Sequence, residues 1–233
     1  MINSDAGVII QARMGSSRLP GKSLMKIGSK TLIDHVIERC LAAAPVDKVF
    51  LATTDQSEDK ILVDHVASKY GLIVFQGDKE DVRSRYEAVA REYFIDKIVR
   101  ITADDPFKDP KHIGESIRAL DEDSVDYYNN FEIPIFPVGL DVESFRTKAL
   151  LENIVRDSSS ESKEHVTLGL RKSPIFVKKF CQGEPEFTNI RLTIDTPADL
   201  EFCKRLLQIN PDMENLAFDW PTTRDALIAM GKR

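Results

Sequence analysis

The strongest constraint on this chain is a rhythm in its first hundred residues, where short apolar runs alternate with segments of helical period. Val8-Ile9-Ile10-Gln11-Ala12, Val49 to Thr53, Ile73-Val74-Phe75 and Ile98 to Thr102 are β-branched runs of strand length. Between them, Leu32, Ile33, Val36, Ile37, Cys40 and Leu41 fall on one helical face, starting at about Thr31. A second helix is predicted from about Ser57 to Tyr70, and Val82, Tyr86, Val89 and Tyr93 mark a third. Strands that are apolar throughout, rather than on alternate residues, are buried on both sides, and strands joined through helices run parallel. The expectation is an α/β fold with a doubly wound, mostly parallel sheet covered on both faces. Asp109-Pro110 and Thr196-Pro197 each read as a helix N-cap followed by proline at the first helical position.

The rhythm breaks after residue 121. Residues 122–147 hold two prolines and several aromatics (Tyr127, Tyr128, Phe131, Phe136, Phe145) with little helical period. They are expected to form a small irregular or antiparallel excursion, an extension that would suit a dimer arm. Helical signal returns at Lys148 to Arg156, strands are predicted at Ile175 to Phe180 and Ile190 to Ile194, and Leu200, Cys203, Leu206 and Leu207 mark a final helix. With no repeat, low-complexity tract or linker, residues 1–233 read as one domain with an excursion in its second half.

Charge narrows the class of ligand. The chain carries 32 Lys and Arg against 38 Asp and Glu, a net charge of -6, which is a poor basis for binding a nucleic acid polymer. Residues 11–30, however, contain Arg13, Arg18, Lys22, Lys26 and Lys30 and no acidic residue, a local cationic segment suited to a small anion. No apolar run is long enough to span a bilayer, and the N-terminus lacks a secretory pattern, so a cytoplasmic protein without membrane association is expected. The three cysteines, Cys40, Cys181 and Cys203, have neither disulfide-framework nor CxxC spacing, so no structural zinc is expected.

The cationic segment leaves the first strand as Arg13-Met14-Gly15-Ser16-Ser17-Arg18-Leu19-Pro20-Gly21-Lys22. In open α/β sheets ligands bind beyond the carboxyl ends of the strands, and a Gly- and Ser-rich loop lets backbone N–H groups approach an anion. It is not a Walker A loop: five residues, not four, separate Gly15 from Gly21, and no helix is predicted to open at Lys22. The GxGxxG fingerprint is absent too. Two carboxylates stand just after predicted strands, Asp104 and Asp195, where they can meet across one cleft although distant in sequence.

Several ordered motifs together resemble the cytidylyltransferases that make CMP-activated sugars, the CMP-KDO and CMP-sialic acid synthetases, and most of all the spore-coat polysaccharide synthesis branch. They are Ile9-Ile10-Gln11-Ala12-Arg13 with Gly15 to Lys22, Ala52-Thr53-Thr54-Asp55, Glu80-Asp81-Val82 with Arg85-Tyr86, and Arg100 to Pro106. Gly139-Leu140-Asp141-Val142-Glu143, Glu164-His165-Val166 and Arg191 to Pro197 complete the set, so the likeness covers nearly the whole chain.

The resemblance implies a nucleotide-diphospho-sugar transferase-like sheet and transfer of CMP from CTP to a sugar hydroxyl, with a sugar acid expected, releasing pyrophosphate for cell-surface polysaccharide synthesis. It implies Mg²⁺ on Asp104 and Asp195, with Arg13 and Lys22 acting beside them in catalysis. Ala12, Arg13, Gly15, Ser16, Arg18 and Lys22 would hold the triphosphate, and Thr53, Thr54 and Arg85 the base. Glu143, His165 and Arg191 would face the acceptor, and a homodimer is implied. Arg83 leaves the choice of base-reading arginine open, and Asp105 is either a third acidic contact or a solvent-facing turn residue. Without a cation, two facing carboxylates should raise at least one pKa. The family usually has Gly at Ala103 and Pro at Gln11. A glycosyltransferase using a nucleotide-sugar donor, or a non-catalytic nucleotide-binding module, would share the fold.

Overall fold

The computed structural model describes residues 5–122, 124–215 and 219–232. Its centre is a seven-stranded sheet. The first strand, β1 (Ala6–Gln11), leads through a loop and a two-stranded hairpin, β2 (Lys26–Ile27) and β3 (Lys30–Thr31), to α1 (Leu32–Ala43). There follow β4 (Val49–Thr54), α2 (Lys60–Tyr70), β5 (Ile73–Gly77), α3 (Val82–Glu92), β6 (Lys97–Thr102) and α4 (Pro110–Ala119). The sheet order is β5-β4-β1-β6, all parallel, continued by three further strands. The chain winds outward from β1 to β5 and then returns to the other side of β1. This reversal of direction between β1 and β6 opens a crevice at their carboxyl ends, where ligands bind in such sheets.

Alternate residues of β1 enter two different cores. Val8 and Ile10 pack with Val36 and Ile37 of α1, Leu62 and Val66 of α2, and Ile113 and Ile117 of α4. Ile9 packs on the opposite side with Phe50, Tyr86, Val89 and Leu150. All three β1 residues are fully buried, and each such side chain contributes about 1.5–3 kcal/mol. The predicted caps form. Thr31 and Asp34 make a reciprocal capping box at α1, Thr196 and Asp199 make another at α8 (Pro197–Ile209), and the Asp109 carboxylate accepts from Lys111 N at α4.

The second half departs from the expectations in detail. Part of the excursion joins the main sheet: β7 (Tyr127–Asn129) and β8 (Glu143–Arg146) pair antiparallel to each other, and β8 pairs antiparallel to β6. The strand predicted at Ile175 to Phe180 is only β9 (Lys178–Phe180), on the edge beside β7. No regular strand forms at Ile190 to Ile194. That segment is extended but meets its neighbour at a single parallel bridge, Val138 to Arg191. Unpredicted are α6 (Ser160–Glu164), α7 (Leu168–Lys172) and α9 (Trp220–Ala229), while α5 (Thr147–Arg156) lies where expected. A third core, including Leu192, Ile194, Leu206, Trp220 and Leu227, fixes the extended segment beneath α8 and α9. Among the described residues, no helix is long and apolar enough to cross a membrane.

Candidate active site

The loop after β1 is closed by its own backbone. Ser16 N and Gly21 N both donate to Met14 O, at 2.9 and 3.0 Å, and Gly21 takes φ +74°, where a side chain would be strained. A buried carboxylate, Asp59, clamps the loop to the sheet. Its Oδ1 accepts from Met14 N at 2.6 Å, and its Oδ2 accepts from Thr53 Oγ1 at 2.9 Å, Thr54 N at 3.1 Å and the Thr54 hydroxyl. Thr53 and Thr54 were expected at the base. Their hydroxyls are spent on Asp59, both residues are buried, and neither lines the cavity described below.

The two predicted carboxylates do come together, with Lys22 between them. Lys22 Nζ donates to Asp104 Oδ2 at 3.2 Å, Asp195 Oδ1 at 3.0 Å and Ile194 O at 2.7 Å. Asp195 also pairs ionically with Arg18 Nη2 at 2.9 Å and accepts from Arg191 Nη2 at 3.1 Å. The backbone sets this meeting: Ile194 N donates to Asp104 O at 2.8 Å, and Leu192 N to Val138 O at 2.7 Å. Gly139 permits the approach, because at φ +109° a Cβ there would lie 2.7 Å from Thr193 N. Asp195 therefore follows an irregular extended segment, not the regular strand expected.

The expected rise in carboxylate pKa does not occur at Asp104. Burial alone would raise it, but the Lys22 ammonium, through its charge and its hydrogen bond, outweighs burial and holds the carboxyl below its ordinary value. Lys22 is thus the cation within the pair.

A cavity of about 370 Å³ opens beside this cluster. It is lined by Ala12, Arg13, Ser16, Arg18, Lys22, Arg85, Asp104, Asp195 and His165 among the residues expected at the site, together with Gln11, Arg100, Thr102 and Ala103. Gly15, Glu143 and Arg191 do not line it, although Arg191 reaches the cluster through Asp195. The two arginines on α3 are placed differently: Arg83 Nη1 donates to Asp157 O at 2.7 Å, whereas Arg85 lines the cavity. Arg85 is 3% exposed and its Nε has no hydrogen-bond partner. Burial, with Arg13 nearby, lowers its pKa.

A second cavity, of about 430 Å³, shares Arg100, Thr102 and His165 with the first and adds Asp105, Lys108, Asp141, Glu143 and Arg171. Glu143 lies within it, accepting from Arg100 Nη1 and, at 2.7 Å, from Tyr127 Oη. Burial would raise the Glu143 pKa, but the Arg100 guanidinium and these hydrogen bonds depress it. Asp105 is not a solvent-facing turn residue. It is buried, accepts from Lys108 Nζ at 2.7 Å and Thr102 Oγ1 at 2.8 Å, and burial pushes its pKa up to about 6.

Asp59, Lys108 and Arg100 were missed as site residues. For Arg100 a signal existed, a charged residue inside an otherwise apolar strand run; for Asp59, in an ordinary Ser-Glu-Asp turn, none did. Among the described residues no group of three or more His, Cys, Asp or Glu side chains is arranged around a metal position.

The sequence matches the family model described as cytidylyltransferase over residues 7–219. It is 34% identical over 215 residues to an uncharacterized protein of Methanocaldococcus jannaschii, covering 89% of this chain and 87% of that one. It is 35% identical to the spore coat polysaccharide biosynthesis protein of Bacillus subtilis, covering 88% of this chain and 87% of the relative. The structure of a cytidylyltransferase from Leptospira borgpetersenii superposes with a TM-score of 0.90 at 28% identity, covering 97% of this chain and 95% of that one.

Proposed function

This chain belongs to the cytidylyltransferase family, and from that membership we propose that it transfers CMP from CTP to a sugar hydroxyl and releases pyrophosphate. The observation that carries the reading is the cluster at the switch point. One ammonium, Lys22, is shared by the carboxylates of Asp104 and Asp195 at the mouth of a cavity also lined by Arg13, Arg18 and Arg85. A triphosphate needs such a dense cationic cradle, and a nucleotide-sugar donor needs less of one. The base is read by Arg85, whose unpartnered Nε and buried guanidinium suit the O2 and N3 acceptors of cytosine. Uracil presents a donor at N3 instead.

The donor set of Asp104 and Asp195 fits Mg²⁺. The two carboxylates already converge on one cation, and Mg²⁺ is typically held by one or two carboxylates with substrate phosphates completing its shell. When bound, the ion would offset phosphate charge and favour ionisation of the acceptor hydroxyl. The protein's own part is positioning. Arg13, Arg18 and Lys22 hold the β- and γ-phosphates and neutralise the departing pyrophosphate, while the second cavity presents the acceptor in line with the α-phosphorus. Glu143 and His165 lie on that side, and the acceptor is taken to be a sugar, with a sugar acid the first candidate.

A role in cell-surface polysaccharide synthesis follows the name of the Bacillus subtilis relative. A cytoplasmic site and a homodimer formed through residues 122–147 belong to the same reading, the loop within that segment exposing Ile133 and Val138. Pyrophosphate release measured with each of the four NTPs against a panel of keto-sugar acids tests the assignment. CTP should be preferred; equal rates with UTP, or release that depends on no sugar, would overturn it.

A further inference from the structure

The nucleotide cavity and the second cavity meet at a wall formed by Arg100, Thr102 and His165, the three residues that line both. If CTP occupies the first cavity and the acceptor the second, the phosphoryl group that passes between them must lie against this wall. The wall holds one permanently charged group, the Arg100 guanidinium. Its side chain is 15% exposed, enough to present an edge to both cavities while the rest is fixed.

The fixing is unusually complete. Arg100 stands directly across from Glu143 in the β6–β8 register, and its Nη1 donates to Glu143 Oε1. Its Nε donates to Gln11 Oε1 at 3.0 Å, and the same oxygen accepts from Tyr86 Oη at 3.1 Å. Glu143 is held in turn by Tyr127 Oη at 2.7 Å, and Asn129 Nδ2 donates to Tyr127 Oη at 3.2 Å. Four strands thus contribute to the orientation of one guanidinium: Gln11 from β1, Arg100 from β6, Glu143 from β8, and Tyr127 and Asn129 from β7. Holding a buried ion pair by itself would not require an opening onto two cavities, and a neutral packing residue would fill the strand position without desolvating charge. Burial would lower the Arg100 pKa, but Glu143 and the neighbouring tyrosines raise it, so the cation persists at any working pH.

We propose that Arg100 is a substrate-contacting residue that donates to a non-bridging oxygen on the α-phosphorus of CTP. The proposal rests on the cytidylyltransferase reading and deepens it. In the transfer, the acceptor oxygen forms a bond to the α-phosphorus as the bond to the bridging oxygen breaks. That electron pair leaves with pyrophosphate, and the hydroxyl proton is released to solvent. Arg100 remains bound to the same phosphoryl group on both sides of the step, neutralising it while Arg13, Arg18 and Lys22 let pyrophosphate go. Gln11 acts through Arg100 and is a positioning residue.

The contact can be tested without knowing the acceptor, by measuring the affinity of cytidine, CMP and CTP. Arg100→Met combined with Glu143→Gln removes the charge without stranding a buried carboxylate. Arg100→Lys keeps the ion pair and guards against a misfolded double variant. The double variant should bind CMP and CTP about tenfold more weakly, by the same factor, and bind cytidine unchanged. Arg100→Lys should recover part of the CMP affinity. Unchanged CMP affinity in both variants, or an equal loss for cytidine, would overturn the assignment and leave Arg100 as structure alone. Wild-type protein that binds no cytidine nucleotide would remove the underlying reading, and the Arg100 contact with it.

Discussion

Lys22 offers one ammonium to two carboxylates and a carbonyl, so its removal takes away the cation that separates Asp104 from Asp195 and, on the proposed reading, a triphosphate contact. Charge-assisted hydrogen bonds contribute about 1.5–3 kcal/mol each. Lys22→Ala should therefore weaken CTP binding or turnover at least tenfold, which calorimetry and pyrophosphate release can read; unchanged values for both Lys22→Ala and Arg13→Ala would exclude the loop from the site. Asp104→Asn keeps size but removes charge, and should reduce turnover far more than CTP affinity, because the cationic loop still holds the phosphates. Arg85→Ala should erode the preference for CTP over UTP more than it weakens the shared triphosphate contact. These residues were legible because their chemistry is local: cations in an acid-free loop, and aspartates beyond strands. Thr53 and Thr54 were not, because the acceptor that claims both hydroxyls, Asp59, has no pattern that announces its burial.

Elements carry the site as much as side chains do. The clamp at Asp59 joins the loop after β1 to the end of β4, and Asp59→Ala would leave the Thr53 and Thr54 hydroxyls and Met14 N without their acceptor. A buried polar group left unmet costs about 1–3 kcal/mol, so the variant should unfold at clearly lower urea concentration and lose CTP affinity together; a stable variant with full affinity would show that the loop holds its shape unaided. Gly139→Ala places a Cβ 2.7 Å from Thr193 N at a φ of +109°, and should displace the segment that delivers Asp195. The parallel half of the sheet was readable because its strands are apolar runs between helical faces, and the Thr31, Asp109 and Thr196 caps were readable from single residues and their neighbours. Ile190 to Ile194 has the composition of a strand. What it lacks is a ladder, having only one isolated bridge while packing under α8 and α9 holds it in place, and that is invisible in a local pattern.

Across the whole molecule, the segment around β3 and α1 is latched to residues 213–214, which follow α8. Arg39 Nη2 donates to Met213 O at 2.7 Å, Lys30 Nζ to Glu214 O at 2.6 Å and Ser29 N to Glu214 at 3.2 Å. At the centre of this latch His35 is fully buried, with Nε2 2.8 Å from Ile27 O and Nδ1 unpartnered. Nε2 is therefore the donor and the ring is neutral. Burial lowers its pKa from 6.5 to about 4. Between those values the unfolded chain binds a proton that the folded chain refuses, so stability from this group is complete above pH 6.5 and is lost as pH falls toward 4. The loss amounts to about 3 kcal/mol by pH 4. Asp105, whose folded pKa is raised to about 6, changes in the opposite sense over the same range, so the test must compare variants rather than read one curve. His35→Gln keeps a donor for Ile27 O and removes the titration. Urea unfolding at pH 7 and pH 4 should show the wild type losing about 3 kcal/mol more than His35→Gln on acidification; equal losses would mean that the latch opens before the imidazole is protonated.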